Sequence, residues 1–250
     1  MQELKKITVI IPLKYDTDDR IENVRTSVKY LHNLLNPKFL IGEQGGTYFQ
    51  FLEESGYDLK YHNFDNYDFF HRMKIMNDLS KMVDTEYIAI YDADVIIPEQ
   101  QFRQAYQKLE EGFEIVYPYD GRFIDIERSN IVHINDNRLN SIPVHTMRML
   151  NNQSKGGCIL YNKKSFDNSG KYNENFLSWG PEDEEIYTRH LILEKKIFRI
   201  NGILLHINHK RTQDSDYSNP YWQNNDNEYR KVKNMSRQQL ESYIKTWSWI

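Results

Sequence analysis

The chain has 250 residues, of which 39% are hydrophobic and 27% charged, with a net charge of −4. That is enough for one substantial soluble α/β domain, and it lacks the basic field that general nucleic-acid binding demands. The single cysteine, Cys158, excludes a disulfide framework and a cysteine zinc site.

Residues 7–13 form an unbroken apolar run of the kind a parallel sheet buries on both faces. The run stops at Pro12 and Lys14, too short for a signal-peptide core or a membrane span, so it reads as the first strand of a cytoplasmic protein. A helix follows, with Ile21, Val24, Val28, Leu31 and Leu35 at helical spacing. Strand 39–42 ends in Glu43 before the turn Gln44-Gly45-Gly46. An acid placed there either hydrogen-bonds a nucleotide's ribose or base or is a solvated loop acid.

A short helix over 48–54 leads to a strand near 59–64. The amphipathic stretch 69–83 predicts a helix with Phe70, Met73, Met76, Leu79 and either Met82 or Val83 inward. Arg72 and Lys74 near its start either meet a phosphate at the helix N-terminus or are solvated surface cations. Residues 87–91 are the strongest buried strand, and they run into Asp92 and Asp94. Carboxylates at i and i+2, at the carboxyl end of a central strand, can hold a divalent cation and through it a diphosphate. Alternatively they only end a strand.

Helix 100–111 and strand 113–117 continue the strand–helix alternation, which argues for a doubly wound, mostly parallel central sheet flanked by helices. From 120 to 153 the sequence is polar and without period, read as an irregular lid or acceptor-side insertion. Order returns as a strand over 156–161, whose glycines Gly156 and Gly157 permit close backbone approach. In the stretch SWGPEDEE, Pro181 suits the first helical position. Glu182 to Glu185 suit the first turn, so that acidic cluster has a structural explanation of its own. A short strand, 204–207, closes in HINHKR, which carries His206 and His209. The last part, from about Tyr221, is polar and then helix-like, ending in Trp247, Trp249 and Ile250. It either packs back on the domain or touches a membrane or a partner. No internal repeat is visible, so residues 1–220 read as one domain and 221–250 as a helical tail.

Four pieces converge. Asp92 and Asp94 offer metal oxygens, His209 and His206 offer imidazoles, and Arg72, Lys14 and Arg20 offer phosphate partners. Glu182 and Asp183 stand beside Trp179, the equipment for orienting a sugar hydroxyl and removing its proton, with Gly180 lending the loop freedom to move. Five motifs occur in the order that the β-1,4-galactosyltransferase family and its bacterial relatives show, over about residues 7–210. FHRMKIMN (70–77) is similar to that family's F-N-R-A-K-L-L-N, DADVIIP to its D-V-D-L-I-P and GGCIL to its G-G-V-S-A-L. WGPEDEE is similar to its W-G-G-E-D-D-D, and HINH to its M-x-x-H metal motif. The chain therefore resembles inverting glycosyltransferases of the nucleotide-sugar (GT-A) fold.

The resemblance implies Mn²⁺, with Mg²⁺ as a substitute, held by Asp94, His209 and His206. Asp183 would be the general base, and Glu182 and Trp179 would bind the acceptor. The donor, a UDP-sugar, would meet Pro12, Lys14, Glu43, Arg72, Asp92 and Gly157, with Trp179 on a mobile loop closing over it. The implied reaction moves a hexose, best matched by galactose, to a hydroxyl of an oligosaccharide or lipid-linked glycan. The expected location is the cytoplasm or, through the tail, the inner membrane face. His206 replaces the family's methionine and Phe70-His71 its Phe-Asn. Residues 120–153 match nothing in the family, which leaves the donor sugar open among galactose, N-acetylgalactosamine, glucose and glucuronic acid. Two rivals are a phosphatase with Asp92 as nucleophile and a non-catalytic sugar-nucleotide-binding protein on a decayed transferase fold.

Overall fold

Strand β1 (Ile7–Lys14) is buried along almost its whole length, as its apolar run requires. In the computed structural model, which describes residues 4–210 and 218–250, it lies in the interior of a large sheet. Helix α1 (Asp18–Leu35) follows, then β2 (Lys38–Gln44), β3 (Leu59–Phe64), α2 (Arg72–Ser80) and β4 (Tyr87–Tyr91). Beyond the Asp92–Asp94 loop come β5 (Val95–Ile96), α3 (Glu99–Glu110) and β6 (Ile115–Tyr117). Then follow β7 (Arg122–Ile126), α4 (Ile131–Asn135), β8 (Met147–Asn151), β9 (Cys158–Asn162), α5 (Lys163–Asn168) and α6 (Glu182–Ile192). The chain ends with β10 (Ile197–Arg199), β11 (Ile203–Ile207), α7 (Trp222–Lys233) and α8 (Arg237–Ile244).

The seven-stranded sheet has the order β10-β6-β9-β4-β1-β2-β3. All its pairings are parallel except those of β9, which runs antiparallel to both β4 and β6. A second sheet, β5-β11-β7-β8, leans on the first. The α/β class with a mostly parallel sheet flanked by helices is thus as expected. The order of the strands reverses at β1, with β2 and β3 on one side and β4 on the other, so the carboxyl ends of β1 and β4 open a crevice where such sheets bind ligands.

Three expectations about elements are corrected. The stretch 120–153 is ordered: β7 and β8 form half of the second sheet, with α4 between them and β7 paired parallel to β11. Its strands escaped notice because they are five residues long and set among polar turns. Helix α2 begins at Arg72 rather than at residue 69. The Gln44 side chain binds Phe69 O and His71 N, at 2.6 and 2.8 Å, and so ties residues 69–71 to the end of β2. At its far end the helix stops at Ser80, and Met82 is exposed. The polar start of the tail is also helical. Helix α7 buries only Asn225 and Val232, so it shows no apolar stripe to read.

The tail packs back on the domain. Leu193, Val232, Leu240, Ile244 and Trp247 make a separate small core, and Trp247 stacks on Trp249 at 5.0 Å. Beneath it, the fully buried Arg189 pairs with Glu185 and lies 5.1 Å from the Trp247 ring. Among the described residues no helix is long and apolar enough to cross a membrane. Residues 211–217, in the connection to the tail, and 1–3 lie outside the described residues.

Candidate active site

The crevice is lined by the end of β1 (Pro12, Lys14), the Asp92–Asp94 loop, Arg72 at the start of α2, Trp179, Glu182 and Asp183 around the start of α6, and His206 and His209. These residues come from distant parts of the sequence, and pairing between short strands brings them together. Val95 lies opposite His206 in the β5–β11 ladder, and Ile207 N donates to Asp94 O at 2.8 Å. Helix α1 adds a polar stripe at helical spacing. Ser27 Oγ donates to Ala93 O at 2.9 Å, Asn23 to Ile207 O at 3.2 Å, and Arg20 binds the Asp94 carboxylate. The apolar face of α1 was readable in the sequence; this stripe was not, because its partners are remote.

Asp94, His206 and His209 converge, with their ligand-type atoms all within 4.8 Å of one another. His209 Nε2 lies 3.1 Å and His206 Nε2 3.9 Å from Asp94 Oδ2. The other nitrogen of each ring is already engaged. His206 Nδ1 lies 2.8 Å from Asp125 Oδ1, and His209 Nδ1 lies 2.9 Å from Lys210 O. A carboxylate and a carbonyl only accept, so Nδ1 carries the proton in both rings, assigned here from the hydrogen-bond pattern. Two Nε2 atoms and a carboxylate oxygen therefore face one another, an arrangement that calls for a proton or a cation among them. Donors of this kind fit a divalent transition metal, and the Asp125–His206 contact is the outer-shell bond that fixes such a ligand. Asp125 was missed in the sequence because it lies in the stretch read as irregular. The alternation in Arg122–Ile126, with an acid inside an apolar strand, is the signal that could have found it.

The acids differ in their electrostatics. Burial opposes ionisation of Asp94, but the neighbouring His209, His206 and Arg20 hold its carboxyl well below the usual range. Burial raises Asp92, only partly offset by Arg72, whose Nη2 lies 2.5 Å from Asp92 Oδ1. Arg72 Nη1 also stands 3.6 Å from Glu182 and 3.8 Å from Asp183, so one buried guanidinium faces three acids. Burial and the adjacent Asp183 push Glu182 up to about 8. Burial pushes Asp183 up to about 6 against the pull of Arg72. Although the Asp183 side chain is 31% exposed, its Oδ1 is buried and has no hydrogen-bond partner among the described residues.

Two expected donor contacts are not brought to the crevice. Glu43 is fully buried inside β2, where it accepts from Tyr48 N and Phe49 N, each at 3.0 Å, and from Tyr61 Oη at 2.7 Å. Its carboxylate closes a turn, and no face is left for a ribose. Gly157, at φ +81°, lies under the second sheet, where a Cβ would meet Leu204 Cδ1 at 2.6 Å. Its neighbour Gly156 is the glycine that faces the site, since a Cβ there would lie 2.0 Å from Asp183 Oδ2.

Residues 140–212 match the family model described as the N-terminal domain of galactosyltransferase, a segment that includes Gly156, Trp179, Glu182, Asp183, His206 and His209 and that also takes in residues 140–153, part of the stretch expected to match nothing in the family. No curated protein sequence matches the chain. Among solved structures it is similar to the mannosyltransferase PcManGT from Pyrobaculum calidifontis in complex with GDP-Man and Mn²⁺. The TM-score is 0.56 at 12% identity, covering 82% of this chain and 58% of that one. This chain thus corresponds to less than two thirds of that protein's length. It has the GT-A glycosyltransferase fold, and the segment that carries Glu182, Asp183, His206 and His209 is galactosyltransferase-like.

Proposed function

We propose that the protein is a metal-dependent, inverting hexosyltransferase that moves a sugar, galactose as the first candidate, from a UDP-sugar to a hydroxyl of a glycan acceptor. The observation that carries this reading is the buried Oδ1 of Asp183, which has no hydrogen-bond partner among the described residues and stands beside Arg72 in the same crevice as the Asp94–His206–His209 cluster. Those three residues would hold Mn²⁺ or Mg²⁺, which when bound supplies positive charge to the leaving diphosphate. Arg72, Lys14 and Arg20 add fixed positive charge on the diphosphate side. Glu182, protonated at neutral pH, donates a hydrogen bond to the acceptor sugar.

The Asp183 carboxylate takes the proton from the acceptor hydroxyl as its oxygen attacks the anomeric carbon. The new C–O bond forms on the face opposite the breaking bond to phosphate, and that electron pair leaves with UDP. Configuration inverts in this single displacement, and no enzyme nucleophile is needed. Galactose is favoured by the family match, and Mn²⁺ by the donor set and by the ion named with the mannosyltransferase neighbour.

The test is UDP release from a panel of UDP-sugars, with Mn²⁺ or with chelator, for the wild type and Asp94→Ala. Metal-dependent release from one sugar, abolished by the substitution, is expected. Binding of nucleotide sugar without release would point to a non-catalytic binder.

A further inference from the structure

The loop 177–180, which carries Trp179 into the crevice, is fastened by residues outside the matched segment. Asn225, fully buried near the start of α7, accepts from Leu177 N at 3.1 Å and donates to Leu177 O at 2.8 Å and to Trp179 O at 3.1 Å. Its amide therefore engages the loop backbone through both the oxygen and the nitrogen. Asn219 adds bonds to Ser178 Oγ at 2.6 Å and to Trp179 O at 3.2 Å. Ser178 sits at φ 56°, a left-handed conformation that a serine keeps only where its surroundings impose it. A Cβ on Gly180 would lie 2.7 Å from Asn225 Cβ, so this glycine allows α7 to approach closely. The Trp222 indole, also on α7, stacks on Trp179 at 5.2 Å with the planes 26° apart.

We infer that Asn225 and Trp222 are positioning residues for the acceptor wall: helix α7 sets Trp179 in place, and through Trp179 it determines how tightly a pyranose acceptor binds. The fastening stands on the contacts alone. The choice of a pyranose, whose apolar CH face packs on an indole, rests on the transferase reading above.

Hydrogen–deuterium exchange on the full chain tests the fastening without any substrate. In Asn225→Ala the Leu177 amide is expected to exchange at least about tenfold faster, while amides of β1 and β4 keep wild-type protection. Asn225→Asp keeps the acceptor for Leu177 N and loses both donated bonds, so its exchange should fall between the two. Exchange at the wild-type rate in Asn225→Ala overturns the inference. So does a rise that extends equally through β1 and β4 in both variants, because it would make Asn225 a general stabiliser.

The second arm uses UDP-galactose, Mn²⁺ and a panel of methyl pyranosides. Trp222→Ala is expected to raise the acceptor KM about tenfold with kcat within threefold, and Trp222→Phe to restore it. An unchanged KM overturns the link to the acceptor. If the wild type glycosylates none of the pyranosides, the transferase reading loses support, while the exchange result still decides the fastening.

Discussion

Two adjacent acids of the crevice are set apart by their surroundings, Glu182 pushed up to about 8 and Asp183 to about 6, so that near neutral pH one stays protonated beside one that is ionised. Asp183→Asn should lower kcat by about a hundred- to ten-thousand-fold, with UDP affinity unchanged within a few-fold in a binding titration. In the proposed displacement the ionised form of Asp183 is the one that takes the proton, and burial raises its carboxyl to about 6. Activity should therefore be full above that value and fall away as pH drops through it. An acid limb near the ordinary carboxylate range would argue against Asp183 as the base. Asp125 offers a second check at this scale. With Asp125→Ala the Nδ1 anchor of His206 is lost, and calorimetric Mn²⁺ affinity should fall about ten- to a hundredfold.

The start of β9 separates chemistry from stability within two residues. Gly156→Ala would place a methyl against the free end of the Asp183 side chain. That carboxyl can swing aside, so the fold should survive with Asp183 displaced, and circular dichroism should match the wild type while kcat falls. Gly157→Ala meets two obstacles at once, a left-handed backbone and Leu204 packed against it. It should cost about 1–3 kcal/mol in denaturant unfolding. If Gly156→Ala proved the less stable of the two, the assignment of the site-facing glycine would be reversed. Element β7 carries the same lesson. Read as irregular, it is the strand that delivers Asp125 to His206.

At the scale of the molecule, the tail belongs to the domain it covers. Trp247 is 6% exposed and closes a small core over the buried Glu185–Arg189 pair of α6, the helix that also presents Glu182 and Asp183. Trp247→Ala should destabilise the protein by about 3 kcal/mol, seen as a lower Tm. A variant that keeps its Tm would show that the tail contributes little to the domain's stability. The Asn225 contacts make the same point from α7, where the tail reaches the crevice.

The sequence by itself determined the strand–helix alternation, the Asp92–Asp94 pair at the end of a buried strand, and the histidines and acids of the crevice. Each of these is written locally, as apolar periodicity or as a short motif of the residue types that bind a cation or move a proton. Only the tertiary structure decided that Glu43 is consumed by a turn, that Gly156 rather than Gly157 faces Asp183, and that Asp125 and Asn225 brace residues of the crevice. A polar side chain is worth what its partner makes of it. Those partners lie far along the chain, on strands and helices whose pairing no local pattern records.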